Sequence, residues 1–231
     1  MFEHRRSNWK AALLLVATLA AMPATAPAGD LSKYRDFQLG MDLADVAKHA
    51  GMVPSQAEVI HRRPALIHEL KWRPQSLGLP SRPESAQEVI FSFIGGELFR
   101  IEVKYDRYET EGLTVGDIVD AMSTAYGMPE TPTAKVKALP RLYGDVEEVI
   151  ARWQDSSFRF ELIQSSYGPS YRLIGVQKQL DAAAKTSTAE SRRLDDLEAP
   201  QRDAARLESQ AEAAKAKLEK ARLLNRPKFR P

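Results

Sequence analysis

The feature that most constrains the fold is a pair of alternating apolar runs joined by Gly95-Gly96. Apolar residues recur at every second position over residues 89–93 and again from Phe99 to Tyr105. Side chains alternate between the two faces of a strand, so this period predicts two strands with one apolar face each. A two-residue glycine loop between such runs is typical of a tight hairpin. The centre of the chain is therefore predicted to be antiparallel sheet that must bury one face.

Two helices with similar ends are predicted on either side of this hairpin. Asp42 begins one apolar stripe of helical period, and Gly51 follows its last turn. Thr114 and Asp117 have the spacing of a capping box, and the stripe after them ends at Gly127. The sequence thus predicts one short and one longer amphipathic helix.

The order of elements indicates a tandem αβββ repeat. Further strands are predicted over residues 65–73, 149–154, 158–164 and 171–176. The two units cover about residues 34–108 and 109–179. Because each unit has one apolar sheet face, we expect one antiparallel sheet with both helices packed on one face. The predicted class is α+β, in a domain that spans residues 29–179.

The first 28 residues have the three regions of a secretory signal peptide in order. Basic residues precede an uncharged apolar stretch at residues 11–22, which is shorter than the roughly 20 residues needed to span a bilayer. We expect cleavage of residues 1–28, or after Ala26, and a periplasmic or secreted protein exported across a bacterial-type inner membrane. The remaining chain has equal numbers of basic and acidic side chains, which argues against nucleic-acid binding, and it has no cysteine to form a disulfide.

From residue 180 the composition changes to that of a long exposed helix. We expect a helical arm over residues 180–224, interrupted near Pro200 because proline lacks an N–H, and an extended basic tail over residues 225–231. The spacing of its apolar residues predicts a coiled-coil seam made of Ala204, Leu207, Ala211, Ala214, Leu218 and Ala221. Because the seam is mostly alanine, it buries little apolar surface, and the core is expected to fold without the arm.

The arm is predicted to carry the main partner contact, with Leu207, Leu218 and Phe229 as anchors. Leu207 and Leu218 are 11 residues apart, or about three helical turns, so they lie on one helix face. Amphipathic helices dock into partners through anchors spaced in this way. The expected partner is another envelope protein or a second copy of the chain, and the alternative is that the arm is a solvated spacer.

Residues that could support catalysis or hold a cofactor are few. His49, His61 and His68 lack the i, i+4 spacing of a helical zinc site. No serine or glycine motif of a hydrolase or a phosphate-binding loop occurs in the chain. Asp42 and Asp45 are interpreted as helix-capping carboxylates and not as a catalytic pair. We therefore assign no catalytic residue, no cofactor and no metal.

Residues 37–52 resemble a known family. The run FQLGM at residues 37–41, followed by LADV and then AGM at residues 50–52, is similar to the helix entry of small outer-membrane-assembly lipoproteins of the SmpA/OmlA type. Their fold, which the tandem β-lactamase inhibitory protein also resembles, packs short helices on an antiparallel sheet. This chain differs from them because it lacks the lipidated cysteine and has a predicted duplication and a helical arm. The resemblance implies the α+β fold, and no functional residue is carried over.

These features together predict a non-enzymatic protein-binding or envelope-assembly module. The alternative is an enzyme or a small-ligand-binding protein whose site lies between sheet and helices and is assembled from residues distant in sequence. Trp72 and Trp153 end two strands beside basic residues. In a chain of balanced charge, this placement favours packing at the core or its rim over a platform for glycans or single-stranded nucleic acid.

Overall fold

The computed structural model describes residues 29–74, 85–130, 147–165, 170–228 and 230. The predicted signal peptide at residues 1–28 lies outside the described residues. The helices and strands are, in chain order, β1 (Lys33–Tyr34), β2 (Phe37–Gln38), α1 (Leu43–His49), β3 (Glu58–His61), β4 (Ile67–Trp72), β5 (Ala86–Ile94), β6 (Glu97–Tyr105), α2 (Val115–Tyr126), β7 (Glu147–Gln154), β8 (Phe158–Ser165), β9 (Tyr171–Gln177) and α3 (Lys178–Asn225). Short 3₁₀ turns lie at Pro54–Gln56 and Arg226–Lys228.

Strands β3 to β9 form one seven-stranded antiparallel sheet in the order β3-β4-β5-β6-β9-β8-β7. Two meanders, β4-β5-β6 and β9-β8-β7, meet along their last strands, and each follows one short helix in the chain. The predicted α+β class with a single antiparallel sheet is therefore confirmed. The sequence did not predict the hairpin of β1 and β2 or the edge strand β3, because two to four residues are too few to show a strand period.

Capping hydrogen bonds define the two short helices as the sequence predicted. The Asp42 carboxylate accepts a hydrogen bond from the Asp45 N–H at 2.8 Å. The Thr114 hydroxyl accepts from the Asp117 N–H at 3.2 Å, and the Asp117 carboxylate accepts from the Thr114 N–H at 2.8 Å. Gly127 follows α2 at a φ of 82°, a conformation that strains other residues. Asp42 is thus a capping residue, as interpreted.

The sheet face that carries α1 and α2, called here the inner face, holds the main core. Helices α1 and α2 contribute Val46, Ala47 and Ile118 to it. The largest fully buried aromatic side chains are Trp153, Phe91, Phe93 and Phe160. The indole N–H of Trp153 donates to the Gly127 carbonyl at 2.9 Å and ties β7 to the end of α2. Both Trp153 and Trp72, which stacks on Phe91, are packing residues and not an exposed aromatic platform.

A bulge in β6 moves Phe99 to the opposite sheet face, called here the outer face. Ser92 pairs with Arg100 and the next residue pairs with Leu98, so Phe99 has no partner on β5. The alternation in the sequence predicted that Phe99 shares a face with Ile101. The extra residue instead places the Phe99 ring against Ile67 and Ala184, in a second and smaller core beneath α3.

Helix α3 runs through Pro200 without a break, which corrects the predicted interruption. A proline in a helix removes one backbone hydrogen bond and tends to kink or break the helix. Pro200 is exposed, so water can reach the freed carbonyl group. Solvation of this carbonyl group allows the helix to continue.

Candidate functional site

Helix α3 is joined directly to the sheet, because it begins at the residue after β9. The Lys178 N–H donates to the Ser157 carbonyl at 2.8 Å. Its ammonium group donates to the Asp155 carbonyl at 2.5 Å and to the Gln154 side chain at 3.1 Å. These contacts fix the first turn of α3 to the turn between β7 and β8, so the direction of the helix is set by the sheet.

The proximal arm, defined as residues 178–199 of α3, packs on the outer face. Small side chains line this contact and allow close approach. Ala184 lies against Phe99, and the Ser187 hydroxyl accepts from the Ala65 N–H at 3.1 Å. The Ser191 hydroxyl lies 3.1 Å from the His61 ring nitrogen Nδ1. The sequence predicted a helical arm over residues 180–224; in the structure this helix begins at Lys178, and its first part packs on the sheet.

Arg63 holds the last turn of the proximal arm. Its guanidinium makes two hydrogen bonds to the Glu198 carboxylate, at 2.6 and 2.5 Å, and lies 3.4 Å from Asp195. The hydrogen bonds from Arg63 hold the pKa of Glu198 below its ordinary value. This ion pair joins the loop before β4 to α3 just ahead of Pro200, and it marks the point where the helix leaves the body.

The distal arm, defined as residues 200–228, extends away from the rest of the molecule. Every one of these residues is exposed, and the ion pairs described there, Arg202–Asp195 and Arg206–Asp203, join residues of the helix itself. Two of the three predicted anchors lie here, with exposed fractions of 62% for Leu207 and 72% for Leu218. The third anchor, Phe229, lies outside the described residues.

Helix α3 exposes more leucine side chains than the sequence predicted as anchors. Leu197, Leu223 and Leu224 are also exposed. Leu197 lies seven residues before Ala204 and therefore has the same heptad position as Ala204. Because the sequence predicts an interruption at Pro200, Leu197 falls outside the predicted seam. Leu223 and Leu224 lie off the seam, so its spacing gave no reason to select them.

Paired charges cover the outer face beside α3. Arg172 donates to Glu102 at 2.6 Å and also to Glu147, and all three side chains are largely buried. Burial raises the pKa of Glu102, but the charges of Arg172 and Arg100 outweigh it and hold this pKa below its ordinary value. Lys104 donates to Glu88 at 2.7 Å in the same way. Carboxylates that are ionised and paired stabilise structure and are poorly suited to general acid catalysis.

A mainly apolar pocket lies on the inner face beneath α2. It has a volume of about 480 Å³. Leu113, Ile118, Met122 and Tyr126, which lie on or just before α2, line one side, and Tyr105 of β6 also lines it. Burial raises the pKa of Tyr105 and of Tyr126, so both hydroxyls remain protonated and neither acts as a base near neutral pH. The size falls within the usual range for small-molecule sites, and the lining favours an apolar ligand over a charged one.

The three histidines have separate surroundings. His49 lies 2.7 Å from the Asp45 carbonyl, His61 contacts Ser191, and the His68 ring has a buried nitrogen with no partner among the described residues. Within the part of the chain that the structure describes, no group of three metal-ligating side chains comes together.

Comparisons with known proteins returned no match: no family model, no curated protein and no solved structure is similar to this chain. None of the helices in the described ranges is long and apolar enough to cross a membrane.

Proposed function

We propose that this protein is a non-enzymatic binding or assembly module of the cell envelope, in which the distal arm makes the main partner contact. The observation that carries the proposal is the contrast between the two halves of α3. The proximal arm buries its small residues on the sheet, whereas the distal arm exposes Leu207 and Leu218 on one face. An apolar stripe on a charged helix that packs on nothing is typical of a docking helix.

The body supports this role by holding the arm rigidly. Lys178 fixes the start of α3, and Arg63 fixes the last turn of the proximal arm at Glu198, so the direction of the distal arm is determined by the sheet. At 1.5 Å per residue, the helical part beyond Pro200 extends about 38 Å. A partner that binds the arm is therefore held at a defined distance from the body.

Replacing Leu207 and Leu218 together with Lys tests the proposal. The matched control replaces Ser209 and Leu223 with Lys, which adds the same charge on the opposite side of the same helix. Each variant is crosslinked in envelope fractions and recovered with whatever is attached to it. We expect the first variant to lose the crosslinked partners of the unchanged protein and the control to keep them. If both variants keep the partners of the unchanged protein, the distal arm is a spacer and the proposal is wrong.

The pocket beneath α2 favours a second candidate function, the binding of a small apolar ligand. Its support is the volume of about 480 Å³ and the apolar lining from Leu113, Ile118 and Met122. A fluorescent apolar probe is expected to bind the protein and to be excluded by Ala121→Phe, which places a ring in the pocket. Equal probe binding by both proteins would argue against this function without affecting the role of the arm.

A further inference from the structure

We infer that the partner of the distal arm is the distal arm of a second copy of this chain, and that the two helices run antiparallel. This inference rests on the proposed function, because it names the partner of the same seam. It follows from where the leucines, the alanines and the charges lie along the helix.

The seam has a register in which its two leucines meet. In the heptad pattern, Ala204, Ala211 and Leu218 occupy the a positions, and Leu207, Ala214 and Ala221 occupy the d positions. In an antiparallel pair each a residue faces a d residue of the other helix. When Ala211 faces Ala214 of the second copy, Leu207 faces Leu218 at both ends of the contact. The alanines at the centre let the helices approach closely, and the leucines close both ends.

The charges beside the seam favour the antiparallel direction. Glu208 and Lys215 are both at e positions, and e residues face each other in an antiparallel pair. In this register Glu208 lies beside Lys215 of the second copy, and the contact occurs twice. A parallel pair would instead bring together residues of like charge, Asp203 with Glu208 and Lys217 with Arg222.

The charge of the whole distal arm points the same way. Residues 201–212 carry three acidic and two basic side chains, whereas residues 213–226 carry one acidic and five basic side chains. An antiparallel pair places the basic half of each helix against the more acidic half of the other, and it also opposes the two helix dipoles. The basic turn Arg226–Lys228 then lies level with residues 197–199 of the second copy, next to the exposed Asp196.

The ends of the seam limit the paired segment to residues 204–221. Pro200 occupies the d position before it, and Asn225 occupies the a position after it. At 1.5 Å per residue the paired segment is about 26 Å long. Because the helices run in opposite directions, each body lies beyond an opposite end of the pair, with the exits of the two helices about 40 Å apart. The dimer is thus a rod with one α+β body at each end.

A charge exchange tests the pairing in the purified protein. Glu208→Lys places one lysine beside Lys215 of the other copy at each of the two contacts, and we expect the dissociation constant measured by sedimentation equilibrium to rise about tenfold or more. Glu208→Lys with Lys215→Glu is expected to restore the original value. Glu212→Lys is the matched control. Like Glu208→Lys, it removes the repulsion between Glu208 and Glu212 within the helix, but residue 212 lies away from the seam.

Disulfide crosslinking tests the direction, since the chain has no cysteine of its own. Leu207→Cys and Leu218→Cys variants, one of them lengthened by a tag, are mixed and oxidised. An antiparallel pair crosslinks the two variants with each other and crosslinks neither variant with itself. A parallel pair crosslinks each variant with its own copy, and that result would overturn the inferred direction.

The same experiments separate this inference from the proposed function. If the protein stays monomeric at every concentration while the Leu207 and Leu218 substitutions still remove crosslinks in envelope fractions, the arm binds a different protein and the inference is wrong. If it is monomeric and those crosslinks are unchanged, both the inference and the proposed function are wrong.

Discussion

Truncation at two points of α3 should have very different effects on folding. We compare the full protein with one that ends at residue 199 and one that ends at residue 179. The first truncation removes the distal arm, whose residues 200–228 are all exposed. The second also removes Ala184, which covers Phe99 and Ile67 on the outer face. We expect the first truncation to leave the free energy of unfolding unchanged within about 0.5 kcal/mol.

The cost of the second truncation can be estimated from the two side chains it uncovers. Phe99 and Ile67 are 7% and 5% exposed in the intact protein. Exposing a large apolar side chain completely costs about 1.5–3 kcal/mol, and the neighbouring strands continue to cover part of each. The expected loss is therefore about 2–4 kcal/mol. For a protein of this size this lowers the melting temperature by roughly 5–15 °C.

Urea and thermal unfolding followed by circular dichroism measure both effects. The result that would refute the reasoning is an equal free energy of unfolding for the two truncated proteins. If neither differs from the full protein, the proximal arm contributes nothing to the core. If both lose stability equally, the distal arm packs on the body in solution.

Three further outcomes are expected from urea unfolding. Arg172→Met leaves buried Glu102 without its closest partner and should cost about 3 kcal/mol, whereas Lys71→Met at an exposed ion pair should cost less than about 1 kcal/mol. Since the pKa of Glu102 is lowered from 4.5 in the folded protein, its carboxylate stabilises the fold fully above about pH 4.5, and this contribution is lost as the pH falls through the lowered pKa. Gly175→Ala places a methyl group into the Phe160 ring and should cost about 1–3 kcal/mol. Gly116→Ala on α2 places its methyl group at an ordinary contact distance of 3.6 Å from the Thr114 hydroxyl and should be neutral or stabilising.

Local patterns predicted the three helices and strands β4 to β9, in their order. The capping residues Asp42 and Thr114, the hairpin at Gly95-Gly96 and the period of the long strands were sufficient, because each acts over a few residues. The sequence predicted that the two units join in one antiparallel sheet, but it did not predict that they meet where β6 pairs with β9.

The proximal arm could not be predicted because its contacts depend on the bulge at Phe99. A bulge is one extra residue in one strand, and the alternation of apolar residues does not reveal it. The contacting residues of α3 are Ala184, Ser187 and Ser191, which are small or polar and look like an exposed helix surface in the sequence. The pocket beneath α2 was also invisible, since its lining comes from segments far apart in the chain.

Site-specific photocrosslinking in cells tests most directly whether the distal arm, and not the body, contacts the partner. A photoreactive residue is placed at Leu207 in the seam, at Val59 on the edge strand β3, or at Tyr108, which is 81% exposed on the body. The account predicts a strong crosslinked product at Leu207 and none at the two body positions. Crosslinks at Val59 or Tyr108 with none at Leu207 would contradict it.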